Sequence, residues 1–173
     1  NHSCHATLGD TQRLPPFVRL ATPFTRLSQN FLSDTGDMAW FRRRHGRGPL
    51  LHVAGDVGSG PVVVLVHGIA SSSVTFENLV PMLSDRHRVI SIDLLGFGES
   101  PVPPDALYTL EEHVAAVART LHSLKLTDKF VLVGHSMGGL IATRYAATHQ
   151  RLSRLVLVSP PVYVSTRAIG NRV

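Results

Sequence analysis

Gly134-His135-Ser136-Met137-Gly138 sets a serine two residues after one glycine and two before another. The apolar β-forming run Phe130-Val131-Leu132-Val133 precedes it, and a segment free of proline until Pro160 follows. The pattern reads strand, sharp turn, helix. A serine on such a turn is held in a strained backbone geometry while neighbouring chain passes close by. Flanking positions without a Cβ allow that approach. The hydroxyl then projects above the sheet, over a helix N-terminus that favours negative charge. Such a serine can attack a carbonyl carbon, and the resulting oxyanion needs two preplaced donors. The backbone N–H of Met137 is one candidate. The other is the N–H of Ile69, in the loop after the run Pro61 to Val66, with Gly68 letting that loop come close. The bland alternative, a Gly-rich turn with a solvated serine, is disfavoured by the strand before it and the helix after it.

Other polar residues near these positions read as supports. His67 ends a strand directly before the candidate oxyanion loop and is expected to organise that loop, not to act as base. His135 precedes the serine and is expected to point sideways into the structure. Asp93, followed by Gly96, Gly98 and Ser100, is expected to fix a loop beside the pocket through backbone hydrogen bonds.

Residues 61–66 form a fully apolar, β-branched run, suited to a central strand covered on both faces. Residues 38–43 and 50–54 read as two short strands around a turn at 45–48, and residues 56–60 as a second turn. Residues 73–83 read as a short helix with Phe76, Leu79, Val80 and Leu83 on one face, and 88–92 as the next strand. Thr109 and Glu112 form a capping box. Leu110, Val114, Val117, Leu121 and Leu124 make an apolar stripe facing a core. His113 and His122 lie beside that stripe and read as exposed or flanking residues, not metal ligands. A helix ending near His149 and a last strand over 152–159 follow, stopped by Pro160 and Pro161. Alternating strands and helices imply an α/β sheet built from parallel crossovers. Ligands in such sheets bind beyond the carboxyl ends of the strands, which is where His67-Gly68-Ile69, Asp93 and Ser136 all fall.

A chain of 173 residues is long enough for one domain with a real core. In residues 1–37, Phe17, Leu20, Phe24, Leu27 and Phe31 recur at spacings of three and four, interrupted by Pro23. That segment reads as an N-terminal arm or short helix, and 38–173 as the domain. At 43% hydrophobic and 17% charged residues the composition is that of a globular chain, not a disordered one. No apolar run approaches the roughly 20 residues of a membrane helix, so no membrane span is expected. The first 20 residues hold no continuous apolar stretch of a secretory leader and include Pro15 and Pro16. Cys4 is the single cysteine, which excludes an internal disulfide and fits a reducing, cytoplasmic compartment. The net charge of +5 could suggest nucleic acid, but Arg42, Arg43, Arg44 and Arg47 crowd into one turn-like stretch that reads as a solvated loop. No nucleic-acid partner, cofactor or metal is expected.

His67-Gly68, then DLLGFGES from Asp93 to Ser100, then GHSMGG from Gly134 to Gly139, in this order and spacing, resemble the α/β-hydrolase superfamily over residues 38–160. The resemblance implies an α/β-hydrolase fold: a mostly parallel sheet with flanking helices, its first strands antiparallel, truncated here after the sixth strand. It implies a Ser–Asp/Glu–His triad in that chain order. A serine stands where the dehalogenase and epoxide hydrolase branches carry aspartate. This implies a small-molecule acyl substrate and cleavage of an ester, lactone, thioester or carbon–carbon bond. The His-Ser-Met-Gly-Gly form is similar to that of esterases, monoacylglycerol lipases, haloperoxidase-like enzymes and meta-cleavage-product hydrolases, and does not choose among them.

One departure from the family pattern stands out. After Ser136 there is no Asp or Glu, and the only later histidine is His149, thirteen positions on. Thirteen helical residues span about 20 Å at 1.5 Å each, too far for a base. Ser159-Pro160 occupies a position where some members carry their acid, and Glu111, Glu112 and Asp128 belong to the wrong face or end. The triad acid and histidine are therefore expected beyond Val173, and without its base the serine is a weak nucleophile. Two other classes remain open at this stage: a hydrolase-like receptor or pseudo-enzyme that binds a small ligand, and an interaction module carried by residues 1–37.

Overall fold

A computed structural model of the chain describes residues 18–20 and 48–161. Among the described residues six strands form one sheet: β1 Val18–Leu20, β2 Val53–Val57, β3 Val62–Val66, β4 Arg88–Ile92, β5 Phe130–His135 and β6 Leu152–Val158. Their spatial order is β1-β6-β5-β3-β4-β2. The helices are α1 Leu79–Ser84, α2 Leu110–Ser123 and α3 Met137–Thr148.

The centre of the sheet follows from side-chain alternation along β3. Val63 and Leu65 face one side and pack with Val89, Val133 and Phe76. Val64 and Val66 face the other, with Ile90, Ile92, Leu132 and the apolar residues of α2 and α3. Both faces being covered, polar alternation would be costly, and the run is apolar throughout. β3 pairs in parallel with β4 and β5, and β5 with β6. β2 runs antiparallel to β4. On the far side, β1 runs antiparallel to the edge of β6, Val18 facing Val158 and Leu20 facing Val156.

Several expectations change. Residues 18–20 are strand, where the spacing suggested a helix. Backbone groups on the edge of β6 offer hydrogen bonds that override a local periodicity already broken by Pro23. Residues 38–43, the turn at 45–47, Cys4 and the rest of the N-terminal arm lie outside the described residues. β2 starts at Val53, later than read, and includes Asp56 and Val57; its turn is confined to residues 58–60. Leu51 instead enters the core, its N–H donating to Thr120 Oγ1 at 2.9 Å.

The helix over 73–83 divides into a 3₁₀ turn, Ser73–Phe76, and α1. Pro81 is the physical reason. It has no N–H to donate back along a continuous helix, and it is tolerated within the first turn of a new one. The capping box of α2 is present: Thr109 N–H donates to Glu112 Oε2 at 3.1 Å and Glu112 N–H to Thr109 Oγ1 at 3.2 Å. His122 is exposed, but His113 is buried at 3% exposure. Its offset of four from Val117 puts it on the core face of α2, against Phe97 and Tyr108, whereas Leu110, read as the start of the core-facing stripe, is exposed. Among the described residues no helix is long and apolar enough to cross a membrane.

Candidate active site

β5 ends at His135 and α3 begins at Met137, so a single residue makes the turn between them. That residue, Ser136, has φ 51° and ψ −119°, a conformation that costs a non-glycine about 1–3 kcal/mol. Two hydrogen bonds hold it there. Its N–H donates to Val158 O at 3.0 Å, and its C=O accepts the N–H of Gly139 at 2.9 Å. The flanking glycines are needed because α3 starts almost in contact with the sheet. A Cβ on Gly134 would strike Gly138 O and lie 2.7 Å from Gly139 Cα, and one on Gly138 would strike the carbonyl oxygens of Val66 and His67.

The loop after β3 closes on this turn. A Cβ on Gly68 would lie 2.9 Å from Ser136 Cβ and 3.2 Å from His135 Nδ1. Ile69, one residue further, is 66% exposed. Met137 is the first residue of α3, where backbone N–H groups have no intrahelical acceptor.

His67 is fully buried between two backbone groups. Its Nδ1 lies 2.7 Å from Gly68 O, and its Nε2 accepts the N–H of Leu94 at 2.8 Å. A carbonyl only accepts and an amide only donates, so the proton is on Nδ1 and the ring is neutral. Burial pushes its pKa below the usual histidine range, against the pull of the Gly68 hydrogen bond and the Asp93 charge. Neither ring nitrogen is left to receive a proton from Ser136.

Asp93 follows β4 and is 3% exposed. Oδ1 accepts the N–H of Ser73 at 2.7 Å; Oδ2 accepts the N–H of Glu99 at 3.1 Å and lies 3.1 Å from His52 Nδ1. Gly98, at φ 53°, lies over the carboxylate so closely that any Cβ there would strike it. Burial alone would raise the Asp93 pKa, but the donors from Ser73, His52 and Glu99 together outweigh it and hold it at about 2. Ser100 completes the loop, its hydroxyl donating to Asp93 O at 2.6 Å while its oxygen accepts His52 N–H at 2.9 Å. Ser73 and His52 carry no motif, and their place at this junction was not readable along the chain.

Residues 61–172 match the family model of the alpha/beta hydrolase fold. The chain belongs to the α/β-hydrolase fold family. Over 110 residues the chain is 43% identical to the probable lysophospholipase BODYGUARD 4 of Arabidopsis thaliana, a match covering 60% of the chain and 26% of that protein. Over 113 residues it is 37% identical to a pimeloyl-acyl-carrier-protein methyl ester esterase of Aeromonas hydrophila, covering 62% and 41%. The solved structure of a thermophilic esterase from Thermogutta terrifontis superposes with a TM-score of 0.62 at 38% identity, over 70% of this chain and 46% of that one. The chain therefore spans less than half the length of each of these relatives.

Of the remaining titratable groups, His149, Glu111 and Glu112 are engaged elsewhere, and His135 adjoins Ser136. His149 caps the far end of α3, stacked on Tyr145 with ring centroids 4.2 Å apart. Burial lowers its pKa, against the hydrogen bond to Tyr145 O. Glu112 is engaged in the cap of α2, and Glu111 pairs with Arg144 at 3.8 Å. His135 is half-buried beside the serine, and its Nδ1 has no hydrogen-bond partner among the described residues. No group of His, Cys, Asp and Glu among the described residues could hold a metal ion.

Proposed function

We propose that this chain is the nucleophile-bearing portion of a serine hydrolase that cleaves an ester or related acyl bond in a small molecule. Ser136 Oγ attacks the substrate carbonyl carbon. The oxyanion is taken by the N–H groups of Met137 and Ile69, the alcohol leaves, and water releases the acyl group from Ser136. The observation that carries this reading is the left-handed, two-bonded conformation of Ser136 with Gly68 packed against it. Strain at a non-glycine persists where function needs it. Each oxyanion donor contributes about 3–4 kcal/mol to a transition state of this kind. The esterase and lysophospholipase names among the relatives support an ester as the bond attacked.

On this reading the acid and histidine of the triad come from outside the described residues. The test is a fluorophosphonate probe on the protein with its native downstream sequence. Wild type should label at Ser136 and the Ser136→Ala variant should not; a folded wild type without label would sink the reading. A second reading, a non-catalytic receptor for a small ligand, draws on the engagement of His67 and His149 away from Ser136. It predicts no label but retained binding of a small ester.

A further inference from the structure

We infer that His52 is a positioning residue for the oxyanion loop, acting through the carboxylate of Asp93. The catalytic consequence rests on the hydrolase reading above, whereas the tether itself does not.

The loop between β3 and the 3₁₀ turn is held at two ends. At its start, His67 is locked between Gly68 O and Leu94 N–H, and Gly68 lies against Ser136. At its end, Ser73 N–H is bound by Asp93 Oδ1. Between them Ala70 sits at φ 54°, a strained conformation for a residue with a Cβ. A strained residue keeps its conformation only while both ends are fixed, so the position of the Ile69 N–H depends on how firmly Asp93 is held.

His52 is the side chain that holds it. Its Nδ1–H meets Asp93 Oδ2 at 3.1 Å. His52 is itself pinned through its backbone, with N–H to Ser100 Oγ at 2.9 Å and C=O from Asp93 N–H at 3.0 Å. The remaining donors to the Asp93 carboxylate, Ser73 and Glu99, come from the loops being positioned. Among the described residues only His52 reaches it from outside them. Glu99 also lies 3.6 Å from His52 Nε2 but is 82% exposed, so water screens that contact.

Four variants of the intact protein test this. His52→Leu keeps bulk and removes the donor. His52→Asn places an amide N–H near the position of Nδ1. His52→Gln moves the donor outward and serves if the leucine variant does not fold. Glu99→Gln is the control. Amide hydrogen exchange over residues 68–75 should quicken about 10-fold in His52→Leu and His52→Gln, and return close to wild type in His52→Asn. The rate of fluorophosphonate labelling should fall about 10-fold in the same two variants, while KM for a test ester changes less than about twofold. Exchange unchanged in folded His52→Leu or His52→Gln would overturn the inference. So would a loosened loop with a wild-type labelling rate. A wild type that never labels, with exchange responding as described, removes the hydrolase reading and leaves the tether standing.

Discussion

Gly68 and Ser136 are packed so closely that a Cβ on the glycine would lie 2.9 Å from the Cβ of the serine. Real Cβ atoms do not approach that near, so any side chain at Gly68 must push the loop after β3 away from the turn between β5 and α3. On the proposed function, that contact sets how close the next backbone amide, Ile69 N–H, can come to an oxyanion formed on Ser136. Gly68→Ala is expected to lower the labelling rate at Ser136 by about 100-fold, the loss of one oxyanion donor. The thermal midpoint should fall by only a few degrees, about 1 kcal/mol for a domain of this size. A labelling time course beside a thermal melt separates the two effects.

Ser136 itself is expected to be held at the expense of stability. Replacing it by glycine removes the penalty of a Cβ at φ 51°. Ser136→Gly should therefore be more stable than wild type by up to about 1 kcal/mol, and wholly unlabelled. Urea unfolding of both proteins measures the difference. A glycine variant markedly less stable than wild type would mean that the turn is not strained.

Two buried histidines give the protein an acid-sensitive core. Burial pushes His67 and His113 below their ordinary pKa of 6.5. The unfolded chain then binds protons that the folded chain does not, so stability is complete above about pH 6.5 and falls as pH drops towards the folded values. The urea midpoint should be lower at pH 5 than at pH 8. His113→Phe should flatten that dependence, because the ring contacts with Phe97 and Tyr108 survive without a titrating group.

Asp93 adds a second, lower window. Its folded pKa of about 2 lies below the ordinary 3.8, so its contribution is present above about pH 4 and lost as pH falls through 2. A shift of that size corresponds to about 2 kcal/mol. Asp93→Asn should lose a similar amount at neutral pH, since an amide offers one acceptor oxygen where Ser73, Glu99 and His52 need two. Denaturant titrations of both proteins at pH 7 and pH 3 check this. The gap between them should narrow at the lower pH.

Much of this architecture could be read along the chain because it is encoded by neighbours. β3 is legible as VVVLV because a strand covered on both faces needs apolar residues at every position. The capping box is legible because both partners lie within one turn of Thr109. The turn at Ser136 is legible because the two residues that must lack a Cβ flank it at fixed distance. The break of the helix at Pro81 is encoded just as locally: a proline without an N–H cannot continue a helix begun several residues earlier.

By itself, then, the sequence determined the strands, the capped helix and a serine on a turn that only glycine neighbours permit. Each depends on groups a few residues apart, whose sterics and hydrogen bonds are set by the backbone itself. Only the tertiary structure decided that residues 18–20 pair with β6 and that His113 faces inward. It also decided that His67 is spent on Gly68 and Leu94, and that Asp93 is gripped by His52, 41 positions away. Those outcomes depend on which strands become neighbours. The placing of β2 beside β4 brings His52 to Asp93, and no property of either residue alone announces the pairing, because a hydrogen bond is satisfied by position and not by residue type.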